Sequence, residues 1–215
     1  MGVQPKVTIG ITGHRPNRMH IGRAEIARQL HIVLAAIRSG SGRHTERVAV
    51  SALAEGSDRL FADAALELNY RLDVVLPFNS ADYETTFSDK QETPHYRELL
   101  AKAHVVTELD GSLNDSTAAY EEVGRAMVNT VDLIICVWDG KAAAGRGGTP
   151  EIVEYAISLG KNVIWIDAAT KRTPRLIAPT SGYVSIETPM MTLARRARKL
   201  TRQRIARLAA VASQL

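Results

Sequence analysis

Residues 132–151 read Asp132-Leu-Ile-Ile-Cys-Val-Trp-Asp-Gly-Lys-Ala-Ala-Ala-Gly-Arg-Gly-Gly-Thr-Pro-Glu151, and this stretch decides the fold. Residues 133–138 are apolar without alternation, which is typical of a parallel strand covered on both faces. The glycine-rich segment after it leads into a helical pattern, with Thr149 as the candidate N-cap, Pro150 in the first helical position and Glu151 in the first turn. The stretch predicts a strand, a phosphate-binding loop and a helix, because backbone amides and the positive end of the helix dipole would face an anion.

The rest of the chain alternates between strand and helix patterns. Short apolar runs predict five further strands, at residues 7–12, 48–51, 72–76, 105–109 and 162–166. Apolar residues at helical spacing predict helices at residues 21–37, 57–68, 96–103, 117–131 and 150–159. Residues 78–95 are polar and irregular, which predicts a long loop or a broken helix. We therefore predict an α/β fold, with a mainly parallel sheet and helices on both of its faces.

Charge is distributed unevenly along the chain. The 215 residues carry 27 Lys and Arg against 23 Asp and Glu, a formal net charge of +4. Seven basic residues and no acidic one follow Glu187, at positions 195, 196, 198, 199, 202, 204 and 207. Because the basic excess belongs to this tail, nucleic acid is the less favoured partner for the body. We expect one domain at residues 1–187 and a basic amphipathic helix at 188–215, which docks on the body or on a second copy, so that a homodimer is an expected assembly.

Several classes of protein are disfavoured by composition. No apolar run approaches the length of a membrane span and no signal-peptide pattern is present, so we expect a cytoplasmic protein without a membrane partner. The single cysteine, Cys136, lies inside a predicted buried strand, which excludes a disulfide framework and a cluster of thiolates. His44, His95 and His104 lack the spacing of metal ligands, and we expect neither a metal nor another cofactor.

Three polar or glycine-bearing stretches follow predicted strands, and in an open parallel sheet ligands bind outside the carboxyl ends of the strands. The candidate ligand-binding residues in these stretches are Gly13, His14, Arg15, Glu55, Gly56, Ser57, Asp58, Gly145, Gly147, Gly148 and Thr149. Amide groups would hold phosphate there, and Arg15 would supply a positive fork. Asp139 and Glu151 are the candidate catalytic residues, which would accept ribose hydroxyls or take part in acid–base chemistry.

Each of these residues also has a structural interpretation. Glycines at strand ends often serve only a turn that needs positive φ. His14 is consistent with a turn residue and Arg15 with a surface cation. Asp58 is consistent with a carboxylate that stabilises the N-terminus of a helix. The loop lacks the Gly-Lys-Ser/Thr of a Walker A motif, and it is not a Gly-x-Gly-x-x-Gly motif after the first strand. Simple ATPase and dehydrogenase functions are therefore disfavoured.

Three blocks of the chain resemble the SLOG superfamily, a Rossmann-like group that includes the Smf/DprA proteins, the LOG phosphoribohydrolases and nucleotide-sensing domains of bacterial defence systems. Residues 9–15 and 50–58 are similar to the DNA-processing branch, and residues 132–151 are similar to the LOG branch. The resemblance covers about residues 7–166 and implies a Rossmann-like, doubly wound, mainly parallel sheet for the domain at residues 1–187, which the C-terminal basic helix follows. It also implies a nucleotide or nucleotide-derived ligand, such as a nucleoside phosphate or an ADP-ribose-like molecule, that the three loops sense or process.

Two other functions follow from the same resemblance. One is hydrolysis or transfer at an N-glycosidic bond, as in LOG phosphoribohydrolases or nucleoside deoxyribosyltransferases. Aligned with the LOG pattern, however, Val123 stands where that family has its catalytic arginine, and Ile152 stands where it has its glutamate, with Glu151 one residue early. The other is single-stranded DNA binding through the basic tail, against which stands the low aromatic content of 5%.

Overall fold

The computed structural model describes residues 4–142 and 148–177, which form one sheet flanked by helices. The strands are β1 (Lys6–Gly13), β2 (Glu46–Ser51), β3 (Arg71–Leu76), β4 (Val105–Glu108), β5 (Leu133–Trp138), β6 (Asn162–Asp167) and β7 (Arg175–Ile177). The helices are α1 (Arg23–Ser41), α2 (Ser57–Glu67), α3 (Ser80–Thr85), α4 (Thr93–Lys102), α5 (Ser116–Thr130) and α6 (Thr149–Ser158). The predicted basic helix at residues 188–215 lies outside the described residues.

The sheet has the strand order β4-β3-β2-β1-β5-β6-β7. Strands β1 to β6 pair in parallel, and the short β7 pairs antiparallel with β6. The order reverses between β1 and β5, where Thr12 lies opposite Cys136 and Gly13 lies opposite Val137. The carboxyl ends of these two strands therefore form the switch point at which α/β sheets bind ligands. The predicted α/β class and mainly parallel sheet are confirmed.

Both faces of the sheet are covered. On one face, Ile9 and Ile135 pack into a core shared with helices α1 and α2. On the other face, Ile134 and Cys136 pack with Met127 and the apolar side of α6. Successive residues of β5 therefore face the two helical layers in turn, and both layers are apolar. This explains why residues 133–138 show no alternation of apolar and polar residues. Cys136 is a buried free thiol, and burial raises its pKa.

Residues 78–95, which the sequence predicts as a loop or broken helix, contain a helix and an aromatic cluster. Asn79 accepts a hydrogen bond from the Asp82 amide at 2.9 Å and caps α3. The ring of Tyr83 lies 5.2 Å from that of Phe87 and 5.9 Å from that of Tyr96, in edge-to-face geometry. The segment is ordered by buried aromatic area rather than by helical periodicity, so its pattern is not visible in the sequence.

Glycines occupy the N-cap positions of α2 and α6. Gly56 is the N-cap of α2, so Ser57 is its first helical residue. Gly148 is the N-cap of α6 and makes no side-chain cap, so Thr149 is inside the helix and the predicted cap is wrong. Among the described residues, no helix is both long enough and apolar enough to cross a membrane.

Candidate functional site

A cleft of about 380 Å³ opens at the switch point between β1 and β5. It is bounded by the turn after β1, the loop before α2, Tyr83 of α3, one side of α5 and the first turn of α6. Its volume falls in the range of small-molecule sites, which is roughly 300–1,000 Å³. Of the predicted ligand-binding residues, six line the cleft: Gly13, His14, Arg15, Asp58, Gly148 and Thr149. Gly145 and Gly147 lie outside the described residues.

Two glycines allow the first two loops to meet. A side chain at Gly13 would overlap the Ser57 hydroxyl and would lie 2.9 Å from Cβ of Val137. Gly56 has φ of +97°, and a Cβ there would lie 2.8 Å from the carbonyl oxygen of His14. The Ser57 amide and hydroxyl both donate to this carbonyl, at 3.3 Å and 3.1 Å. Gly56 and Ser57 therefore join the loops, and neither lines the cleft.

His14, Asp139 and Arg18 form a connected group at the carboxyl ends of β1 and β5. Arg18 donates to both carboxylate oxygens of Asp139, at 2.9 Å and 2.8 Å, and His14 Nε2 lies 3.0 Å from Asp139 Oδ1. Burial opposes ionisation of Asp139, yet the hydrogen bonds from His14 and Arg18 hold its pKa well below the usual range. Burial is also the main effect on His14 and lowers its pKa. Asp139 is thus an ionised, fully paired carboxylate beneath the cleft, and its side chain is 1% exposed.

Glu55 holds a surface segment against the first two loops. Its carboxylate accepts hydrogen bonds from the Asp89 amide at 2.8 Å and the Ser88 hydroxyl at 2.9 Å, and it lies 3.3 Å from Arg15 Nη1. Burial raises the pKa of Glu55, but the hydrogen bonds from Asp89 and Ser88 outweigh it and the net shift is downward. Glu55 is buried and does not line the cleft, whereas the Arg15 side chain is 41% exposed and lies over the Tyr120 ring.

Asp58 is the acidic residue that lines the cleft. The residue is only 6% exposed, and burial raises the pKa of its carboxyl to about 7 against the opposing effects of the Ala54 amide and Arg15. Tyr83 and Tyr120 line the same region. A carboxyl that is about half protonated at pH 7 adds less negative charge to this wall than a fully ionised one.

The first turn of α6 presents fewer free amides than the sequence suggests. The amides of Glu151 and Ile152 both donate to the Gly148 carbonyl, at 3.1 Å and 3.3 Å, and Pro150 has no N–H. Thr149 lines the cleft, and neither its amide nor its hydroxyl makes a hydrogen bond to another described residue. Because donors at a helix N-terminus are suited to an anion, Thr149 is the candidate anion-binding residue of the cleft.

The candidate catalytic residues are not brought together. Glu151 lies in a separate surface cleft between α5 and α6 that it shares with Arg125 and Tyr155, among others. Val123 and Ile152, at the register positions of the LOG arginine and glutamate, both line the main cleft. Among the described residues, no group of three or more His, Cys, Asp or Glu side chains is placed to hold a metal ion.

The sequence analysis did not predict several cleft residues, among them Arg18, Tyr83 and Tyr120. Arg18 ends the 3-10 turn Pro16–Arg18, and only its spacing from Arg15 in the sequence could have indicated that it belongs to the cleft. Tyr120 has the helical spacing of a core residue but is half-buried and reaches the cleft. Tyr83 belongs to the segment that the sequence predicts as irregular.

The residues leaving β5 are held by two indoles. Trp138 Nε1 donates to the Lys141 carbonyl at 2.7 Å, and Trp165 Nε1 donates to the Trp138 carbonyl at 2.8 Å. The two rings lie 5.7 Å apart, and Gly140 turns with φ of +77° beside Trp165. These contacts hold residues 139–141 in place directly after the end of β5.

No protein-family model and no curated protein matches the chain. Among solved structures, DNA processing protein A (DprA) from Streptococcus pneumoniae matches with a TM-score of 0.51 and 16% identity, over 74% of this chain and 50% of that chain. The structural-genomics protein TM1055 matches with a TM-score of 0.46 and 13% identity, over 73% of this chain and 72% of that chain. The chain spans about half the length of DprA. The likeness to DprA shows a shared Rossmann-like fold, which is the fold that the three sequence blocks implied.

Proposed function

We propose that the cleft binds a nucleotide, and specifically a nucleoside monophosphate, as a sensing or holding site. The observation that carries this proposal is the position of Thr149, which lines the switch-point cleft at the start of α6 and makes no hydrogen bond through its amide or hydroxyl to another described residue. A phosphate there would receive two hydrogen bonds and the favourable field of the helix dipole.

The charges around the cleft favour a single phosphate. Arg18 is already neutralised by Asp139, and Arg15 is shared with Glu55. Among the described residues of this cleft, the cations are thus matched by carboxylates, which leaves little net positive charge for a polyphosphate. A nucleoside monophosphate fits this balance better than a dinucleotide or a nucleoside triphosphate.

The opposite side of the cleft suits a base. Tyr120 offers a ring, and Val123 and Met127 continue an apolar surface along the same side of α5. Arg15 lies 5.7 Å from the Tyr120 ring centroid, so a planar group near them would meet both an aromatic face and a guanidinium. Aromatic stacking of this kind is tolerant of base identity.

Binding without turnover is supported by what occupies the LOG-type catalytic positions. Val123 and Ile152 are apolar and line the cleft, so neither can transfer a proton or stabilise a developing charge. Glu151 belongs to the other cleft. N-glycosidic cleavage by Glu151 or Asp139 therefore remains the alternative hypothesis, and DNA binding by residues 188–215 stays a prediction.

Thermal unfolding in the presence of millimolar AMP, GMP, CMP, UMP, ADP-ribose and NAD tests the proposal. At a ligand concentration a hundredfold above Kd, binding stabilises the folded state by about 2.7 kcal/mol. We expect at least one monophosphate to raise the Tm, and the shift should fall in Thr149→Val, which keeps the shape but loses the hydroxyl. Thr117→Val is the matched control, since Thr117 is exposed on α5 and outside the cleft. No shift with any monophosphate would refute the proposal.

A further inference from the structure

The sheet ends at β4, and within the described part of the chain no strand pairs with the outer edge of β4. β4 pairs only with β3, in parallel, from Val105 opposite Asp73 to Glu108 opposite Leu76. All four residues of β4 are exposed, whereas β5 in the middle of the sheet is buried along its whole length. A strand at the edge of a sheet presents unpaired N–H and C=O groups that can pair with a strand of another chain.

The edge strand also carries apolar side chains. Val105 is 45% exposed and Val106 is 42% exposed, and they are two of the four large hydrophobic residues that are exposed among the described residues. Edge strands are commonly protected from pairing by lysine or proline, and neither occurs between His104 and Leu109. The three β-branched residues at positions 105–107 favour an extended backbone instead. The composition of β4 therefore suits a strand that pairs on both sides.

The sequence around Val106 is complementary to itself when it is reversed. His104 lies two residues before Val106 and Glu108 lies two residues after it, and all three are exposed. If a second copy of β4 runs antiparallel with Val106 opposite its own counterpart, each His104 lies opposite a Glu108 on the same face of the sheet. Val105 then lies opposite Thr107. Cross-strand pairs of opposite charge and of β-branched residues both stabilise a sheet.

This complementarity selects one register. A shift of one residue in either direction would place Glu108 opposite Ala103 or Val105, so that two carboxylates of the pair would face apolar side chains. The carboxylate of Glu108 is already held beside the strand, because it accepts a hydrogen bond from the Ser80 amide at 2.8 Å. Less side-chain entropy is therefore lost when an imidazole approaches it.

We propose that β4 is an interface between two copies of this chain, which pair antiparallel with Val106 at the two-fold axis and join their seven-stranded sheets into one. Backbone hydrogen bonds between the two strands supply the affinity, as in other cases of strand addition. The interface is small, so the association is weak. The inference is independent of nucleotide binding, since β4 lies three strands, or about 14 Å, from β1 and none of its residues lines the cleft.

Cysteine cross-linking of the full chain tests the register. Residues directly opposite each other in an antiparallel pair have Cα atoms about 4.5–5.5 Å apart, which is within the reach of a disulfide. Val106→Cys should therefore form a disulfide-linked dimer when it is incubated with oxidised glutathione. In the same register Val105 lies diagonal to its counterpart, about 7–8 Å away, so Val105→Cys should cross-link much more slowly. The native Cys136 is buried and does not compete.

Light scattering tests the dimer itself. One chain has a mass of 23.5 kDa, and we expect wild type to approach twice this mass as its concentration rises to about 0.2 mM, where a pair with a micromolar Kd is largely associated. Val106→Lys places two ammonium groups against each other at the axis and should keep the monomer mass. Leu159→Lys is the matched control, because Leu159 is 47% exposed at the C-cap of α6 and should leave the dimer intact.

Each result supports or overturns the proposal. A wild type that stays at the monomer mass up to this concentration overturns it. So does a dimer that survives Val106→Lys, because its interface then lies elsewhere, as in residues 188–215. Equal rates of cross-linking in Val105→Cys and Val106→Cys also overturn it, since Val106 is then not at the axis. An unchanged Tm shows that Val106→Lys is folded, and any rise in its Tm with AMP should equal that of wild type, so either proposal can fail without the other.

Discussion

Replacing Asp58 by asparagine should stabilise the free protein, and the gain should grow with pH. Burial raises the pKa of Asp58 from 3.8 to about 7. The folded form therefore holds a proton that the unfolded chain has already lost, and the stability of wild type falls as pH rises from 3.8 through about 7. Asparagine does not titrate, so the variant escapes this loss.

The magnitude follows from the shift. One pKa unit corresponds to about 1.4 kcal/mol, so ionising buried Asp58 costs wild type up to about 4 kcal/mol above pH 7. Roughly 2 kcal/mol of this is already lost at pH 5, and most of the remainder is lost between pH 5 and pH 8. In a chain of this length, that further loss corresponds to about 5–10 °C in the Tm difference between variant and wild type.

The assay is thermal and urea unfolding of both proteins at pH 5 and pH 8. Asp110→Asn is the control, because Asp110 is exposed and its substitution should give no pH-dependent gain. The reasoning is refuted if Asp58→Asn changes stability by the same amount at both pH values. Such a result would mean that the carboxyl is already hydrated through the cleft and ionises normally.

Three further predictions concern contacts around the cleft. Asp139→Asn should lower the free energy of unfolding in urea by about 3 kcal/mol at pH 7, because it breaks a buried ion pair. Since the pKa of Asp139 is depressed in the folded protein, the difference in stability between wild type and variant should shrink as pH falls below 3.8. A difference that stays constant with pH would contradict this prediction. Glu55→Gln should lower the free energy of unfolding by about 1–3 kcal/mol and speed hydrogen exchange at residues 86–92, because the Ser88 hydroxyl and the Asp89 amide lose an anionic acceptor. Unchanged exchange would show that Glu55 does not hold this segment. Gly13→Ala should lower the free energy of unfolding by about 1–3 kcal/mol and reduce any AMP-induced rise in Tm, because the added methyl group would overlap Ser57 and Val137. An unchanged Tm would show that the two loops move apart enough to accept the methyl group.

The fold was accessible from the sequence because its main signals are local. The predicted strand at residues 133–138 has the same bounds as β5, since an uninterrupted apolar run is what a doubly covered strand requires. β7 was not predicted, because three residues that pair at the edge of a sheet carry too little pattern. The order of the strands came only from the structure.

The residues that line the cleft were predicted only in part, and the comparison of Thr149, which lines it, with Glu55, which does not, shows why. Both residues were placed at the ends of strands, where the topology brings polar groups together. Whether a side chain points into the cleft depends on tertiary contacts, and Glu55 turns instead to Ser88 and Asp89. Tyr120 shows the reverse case, since it follows the spacing of a core residue and yet reaches the cleft.

The indole pair after β5 gives the molecule a built-in optical probe. Trp138 and Trp165 are the only tryptophans of the chain, and their indoles donate hydrogen bonds to backbone carbonyls at and just after the end of β5. Their emission should respond when a bound nucleotide alters the backbone around Lys141, because the Trp138 indole is hydrogen-bonded to that carbonyl. Intrinsic fluorescence thus allows ligand affinity to be measured on the unlabelled protein, and Trp138→Phe should remove most of the response.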